Sequence, residues 1–89
     1  MIDYFGNEEC YFCGSTIVAR HEIYYGSNRK MSIREGFVCM LCPYHHQDSK
    51  NGVHFNREMD LELKMKAQEK YEQTHTRVEF MALVNRNYL

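Results

Sequence analysis

The 89-residue chain has no tryptophan, one proline and five glycines, so backbone chemistry enforces few of its turns. It has no apolar run near the roughly 18 residues that a membrane span needs. Its start, Met1-Ile2-Asp3-Tyr4-Phe5-Gly6, lacks the basic stretch and apolar segment of a signal peptide, so neither export nor a membrane partner is expected. It also lacks charge of one sign. A formal net charge of −1 excludes a protein that grips nucleic acid through bulk basicity. The length allows only one modest core, which gives a single domain over residues 1–89. With 44% hydrophobic and 26% charged residues, the chain is neither disordered by composition nor membrane-like.

What is present is an excess of metal-binding side chains. Four cysteines and five histidines accompany a core too small to be secure on apolar burial alone. In a reducing, cytoplasmic setting such cysteines are metal ligands or redox thiols rather than disulfides. The thioredoxin-like reading of Cys10-x-x-Cys13 needs a βαβ context that the flanking sequence does not offer. A structural zinc ion is therefore expected.

Charge is uneven along the chain. Residues 1–13 carry a net −3, residues 14–57 a net +3 and residues 58–89 a net −1. The basic middle block also holds four of the five histidines, so an anionic ligand would sit there.

Pattern predicts the elements. Residues 16–25 are β-branched and aromatic up to Gly26 and read as a strand. Residues 26–30 form a polar, basic loop, with a single helical turn before Gly36. Residues 37–41 make a second short strand, and Pro43 opens a helix through His45 and His46. Gly52 breaks that helix. Asn56 caps a longer one, residues 57 to about 74, with Met59, Leu63, Ala67 and Tyr71 on one face. Thr76-Arg77-Val78-Glu79 is a capping-box pattern that starts a last helix carrying Val78, Met81 and Val84 inward. The apolar stripes are expected to be core and not a partner-binding face.

Five residues compete for four zinc positions: Cys10, Cys13, Cys39, Cys42 and His45. Spacing admits a four-cysteine site and equally admits Cys10, Cys13, Cys42 and His45. Local chemistry favours the second set. Cys13-Gly14 has the permissive residue that a tight knuckle wants, and Cys42-Pro43-Tyr44-His45 sits at a strand-to-helix corner. Cys39-Met40-Leu41-Cys42 simply continues a strand, which makes Cys39 a buried thiol. Four protein ligands close the tetrahedron, so this zinc would be structural. His45 and His46 diverge by about 100° on a helix, so His46 faces elsewhere, with His21 and His54 as its candidate companions.

The succession Cys10-x-x-Cys13, His21-Glu22-Ile23 and Leu41-Cys42-Pro43-Tyr44-His45-His46 resembles the zinc-containing HNH endonucleases. The small phage-encoded members are closest, with Asn28-Arg29-Lys30, Gly52-Val53-His54-Phe55-Asn56 and the C-terminal helix also similar. The resemblance implies an α+β fold: a small zinc-stabilised ββα-metal core (His-Me finger, treble-clef-like) over residues 8–55, followed by a C-terminal helix pair over 56–89. It implies a metal-dependent DNA endonuclease working in the cytoplasm of a host cell, with a phage or host protein as a further partner. His21, His46 and His54 would hold a catalytic Mg²⁺ or Mn²⁺, and His21 or Glu22 would activate water. Arg29, Lys30, Arg34 and Lys50 would hold phosphates. Two positions depart from the family pattern. Glu22 stands where the general-base His falls, and the middle Asn has no counterpart near Gly36-Phe37. The other reading is a non-catalytic zinc-stabilised module that binds DNA or protein, and a +3 block gives only weak, salt-sensitive DNA binding in either case.

Overall fold

A computed structural model describes residues 3–46, 52–53 and 56–89. His54 and Lys50, two of the expected site residues, lie outside the described residues. The element order is β1 (Ala19–Glu22), a 3-10 turn (Gly26–Asn28), α1 (Arg29–Glu35), β2 (Val38–Leu41), α2 (Pro43–His46), α3 (Arg57–Tyr71) and α4 (Arg77–Val84). This is a small mixed α+β arrangement. Among the described residues no helix is long and apolar enough to cross a membrane.

The two strands pair antiparallel with His21 opposite Cys39 and Glu22 opposite Val38. The other edge of β2 is occupied by the N-terminal segment. Tyr4 N–H donates to the Val38 carbonyl at 2.8 Å, and Tyr11 N–H to the Met40 carbonyl at 3.0 Å. Asp3 organises that segment. It is buried, and its Oδ1 accepts the Phe5 and Asn7 amides at 2.8 Å each. A buried carboxylate is tolerable where it collects such donors.

The strand expected over 16–25 is shorter, and the loop expected at 26–30 opens into the seven-residue α1. Ser32 accounts for the second difference. Its Oγ donates to the Phe37 carbonyl at 2.6 Å and accepts the Tyr24 amide at 3.2 Å, tying α1 to both strand ends. Gly36, left-handed at φ +79°, ends the helix where a side chain would be strained.

The longer helices start where their caps predict. Asn56 Oδ1 accepts the Met59 amide at 3.2 Å, and Thr76 with Glu79 forms a complete capping box. On α3, Leu63 and Ala67 are buried, with Met59 and Tyr71 packed at the margin. The phase of α4 differs from expectation: Phe80 and Val84 face the core, while Val78 is 78% and Met81 40% exposed. Phe80 takes the inward position because its ring completes an aromatic cluster. Tyr24, Phe37 and Phe80 meet edge-on, with centroids 5.2 to 6.4 Å apart, the geometry that ring quadrupoles favour.

Two residues of α3 gather distant segments. The Lys64 carbonyl accepts the Tyr24 hydroxyl at 2.7 Å. Buried Gln68 donates to Asn87 Oδ1 at 2.7 Å and accepts the Tyr88 amide at 2.7 Å, which clips the C-terminal segment to α3.

Candidate metal centre and the adjoining histidines

Cys10, Cys13, Cys42 and His45 converge, their ligand atoms all within 4.8 Å of one another. The first pair comes from a knuckle. Cys10 N–H donates to the Ser15 carbonyl and Gly14 N–H to the Cys10 carbonyl, both at 2.9 Å. Gly14, at φ +76°, occupies the left-handed region that the reversal requires. The second pair comes from the corner between β2 and α2, where the His45 and His46 amides donate to the Cys42 carbonyl at 3.1 and 2.9 Å.

The spacing of the donors suits one ion. A tetrahedral centre with metal–sulfur bonds of ~2.3 Å and metal–nitrogen bonds of ~2.0–2.1 Å has S···S edges of ~3.8 Å and S···N edges of ~3.6 Å. Here Cys13 Sγ and Cys42 Sγ are 3.6 Å apart, and His45 Nδ1 lies 3.6 Å from Cys10 Sγ and 3.2 Å from Cys42 Sγ. These four residues could hold a metal ion such as zinc. The environment also prepares the thiolate. Burial opposes ionisation of Cys10, but the amides of Cys42, Phe12 and Cys13 aimed at its sulfur prevail and bring it down to about 6. Cys39 is outside this group. It is fully buried on β2, and burial pushes its thiol well above the ordinary range.

Beside this centre lies a second histidine grouping. The His21 ring, 1% exposed, meets the His46 ring edge to face with centroids 5.2 Å apart. His45 and His46 thus serve different surroundings although they are consecutive. Tyr25 lies against His21 at a centroid distance of 6.0 Å. A groove of about 240 Å³, lined by Ile17, Val18, Ala19, Leu41, Pro43 and His46, opens next to His46.

Glu22 has a different employment from His21. Alternation along β1 turns it to the other face, where its Oε1 accepts from Arg29 Nε at 3.1 Å and lies 3.8 Å from Arg20. Burial raises the Glu22 carboxyl, but the Arg29 hydrogen bond and the two guanidinium charges outweigh it and hold it below its ordinary value of 4.5. Of the expected phosphate contacts, Arg29 is paired with Glu22 and Arg34 with Glu35 at 3.1 Å, while Lys30 is exposed on α1. His75 is remote in role, stacked on Tyr71 with centroids 4.0 Å apart.

Tyr25, Asp60 and Lys64 also meet here, and no motif in the sequence joins the three. Lys64 Nζ is 2.7 Å from Asp60 Oδ2 and 4.3 Å from the Tyr25 ring centroid. The i,i+4 spacing of Asp60 and Lys64 was a visible signal; their meeting with Tyr25 is a tertiary event. No protein-family model, curated protein or solved structure matches the chain.

Proposed function

We propose that this protein is a zinc-stabilised, HNH-type endonuclease that hydrolyses DNA phosphodiester bonds in a phage or mobile-element setting, inside the host cell. The observation that carries the reading is the approach of His21 on β1 to His46 on α2, beside a Cys₃His corner that takes His45 and not His46. Zinc is the ion assigned to that corner, since three thiolates and one imidazole are a soft, tetrahedral, fully protein-supplied donor set. Its role is to hold the knuckle, β2 and α2 together.

Ring centroids 5.2 Å apart bring both imidazoles to one place on the fold. His46, with His54 as a further ligand, would hold Mg²⁺ or Mn²⁺, which when bound stabilises charge on the phosphate and on the leaving 3′-oxygen. His21 takes the proton from the attacking water, the role an imidazole most often fills in general-base catalysis. Glu22 anchors Arg29 on the other face of the strand and is not the base. Lys30 and the outer nitrogens of Arg29 offer phosphate contacts, and the apolar groove at His46 offers a wall for a flanking sugar and base.

Nicking of supercoiled plasmid with added Mg²⁺ or Mn²⁺ tests the reading. His46→Ala should abolish nicking while leaving zinc content unchanged; activity that survives it refutes the assignment. One observation favours a second reading: the acid at the general-base position is neutralised by Arg29 and Arg20. That suits a non-catalytic zinc-stabilised module binding DNA or protein, which would shift DNA in a gel without cutting it under either ion.

A further inference from the structure

Four side chains from two distant segments form a chain of contacts that ends at His21. Asp60 and Lys64, one turn apart on α3, make an ion pair of 2.7 Å with both side chains only 12% exposed. Withdrawing an ammonium from water this far is costly unless something is gained from its position. The Lys64 ammonium lies over the Tyr25 ring, 4.3 Å from its centroid, well inside the ~6 Å at which a cation is held by a ring face. The same Tyr25 ring packs on the His21 imidazole at 6.0 Å, tilted 57°. His21 in turn meets His46.

We propose that Tyr25 is the positioning residue for His21, with the Asp60–Lys64 pair of α3 locking the Tyr25 ring in place. The proposal rests on the nuclease reading only for what His21 does once positioned. A proton-transfer group must be held to within about 0.5 Å and 10–20° to be effective. The ββ hairpin alone offers a short strand end at this point, since β1 stops at Glu22. A third element is therefore recruited to fix the ring.

Three variants test this in the zinc-loaded, full-length chain: Tyr25→Phe, Tyr25→Leu and Lys64→Met. The first readout is the ring-proton NOE between His21 and His46. Tyr25→Phe should retain it, and Tyr25→Leu should lose it. Lys64→Met should weaken it, while the Co²⁺–thiolate absorption of the cysteine corner stays that of the parent. The second readout is steady-state cleavage of an oligonucleotide duplex. Tyr25→Leu should lower kcat by about 10- to 100-fold, the range for loss of a residue that orients a site ligand, with KM within about twofold. Tyr25→Phe should restore kcat, and the Tyr25→Leu/Lys64→Met double variant should be no worse than Tyr25→Leu. A His21–His46 NOE unchanged in Tyr25→Leu overturns the proposal, whether or not the parent cuts DNA. If Tyr25→Leu does not fold, an unchanged NOE in Lys64→Met overturns it equally. Absence of cleavage by the parent, with the NOE pattern as expected, refutes the nuclease reading and leaves the positioning role standing.

Discussion

His45 and His46 are neighbours on one turn of α2, yet His45 Nδ1 lies 3.2 Å from the Cys42 sulfur while the His46 ring meets His21 at 5.2 Å. The metal corner and the histidine grouping therefore share a backbone hinge. Stripping the metal with a chelator should release His45, and with it the orientation of His46. The expected outcome is one zinc ion per chain by mass spectrometry, and joint loss of helical circular dichroism and of the His21–His46 contact on chelation. Cys42→Ser should unfold the chain at 25 °C. Cys39→Ala should keep full zinc content at a cost of about 1 kcal/mol, the scale of one small buried group removed.

Gly14→Ala tests the knuckle. No heavy atom would crowd the added methyl, since the nearest contact is Glu9 Oε2 at an ordinary 3.5 Å. The penalty is then conformational, about 1–2 kcal/mol for an L residue at left-handed φ. A chelator-competition titration should show zinc affinity falling by roughly one order of magnitude, with Gly14→Asn milder than Gly14→Ala.

The Glu22–Arg29 pair gives a pH dependence. The Glu22 carboxyl is held below 4.5 in the folded chain, so its contribution is complete above the unfolded-state value and is lost as pH falls through the lower, folded value. With Arg29 mostly exposed, the contribution is under about 1 kcal/mol. Arg29→Met should be less stable than the parent by that amount in urea unfolding at pH 7, and the difference should close as pH falls well below the ordinary carboxylate value of 4.5. On the proposed reading, with His21 as the base, Glu22→Gln should leave the acidic limb of a plasmid-nicking pH profile unchanged.

Gln68→Ala should cut the clip on the C-terminal segment. Removing a buried side chain that serves both Asn87 and Tyr88 costs about 1–3 kcal/mol. Hydrogen exchange at the Tyr88 amide should rise towards the unprotected rate while the amides of α3 stay protected.

The signals that were legible in the sequence are those written within a few residues. Cys13-Gly14, Pro43, Asn56 and Thr76 with Glu79 each act on their own turn of backbone, and each marks the feature found at that position. The Cys10/Cys13/Cys42/His45 set was readable for the same reason: each half is a local corner. What could not be read depends on distant partners. Asp3 reads as an ordinary N-terminal acid until Met40 and the Asn7 amide come round it. Phe80 outranks Val78 and Met81 only because Tyr24 and Phe37 await it. Tyr25 gains a role only once α3 has docked.

Lys64 meets two consecutive tyrosines in two different ways. Its carbonyl takes the Tyr24 hydroxyl, and its ammonium lies over the Tyr25 ring. Tyr24 and Tyr25 project in different directions, so the two contacts act as separate coordinates. One fixes how far α3 has slid along its axis, and the other fixes how far it has turned about it. Helical geometry couples these motions, at about 1.5 Å and 100° per residue. A single-residue insertion between Asn56 and Lys64 therefore misses both contacts at once. The helix behaves as a key with one accepted depth and one accepted rotation, and a single residue checks both.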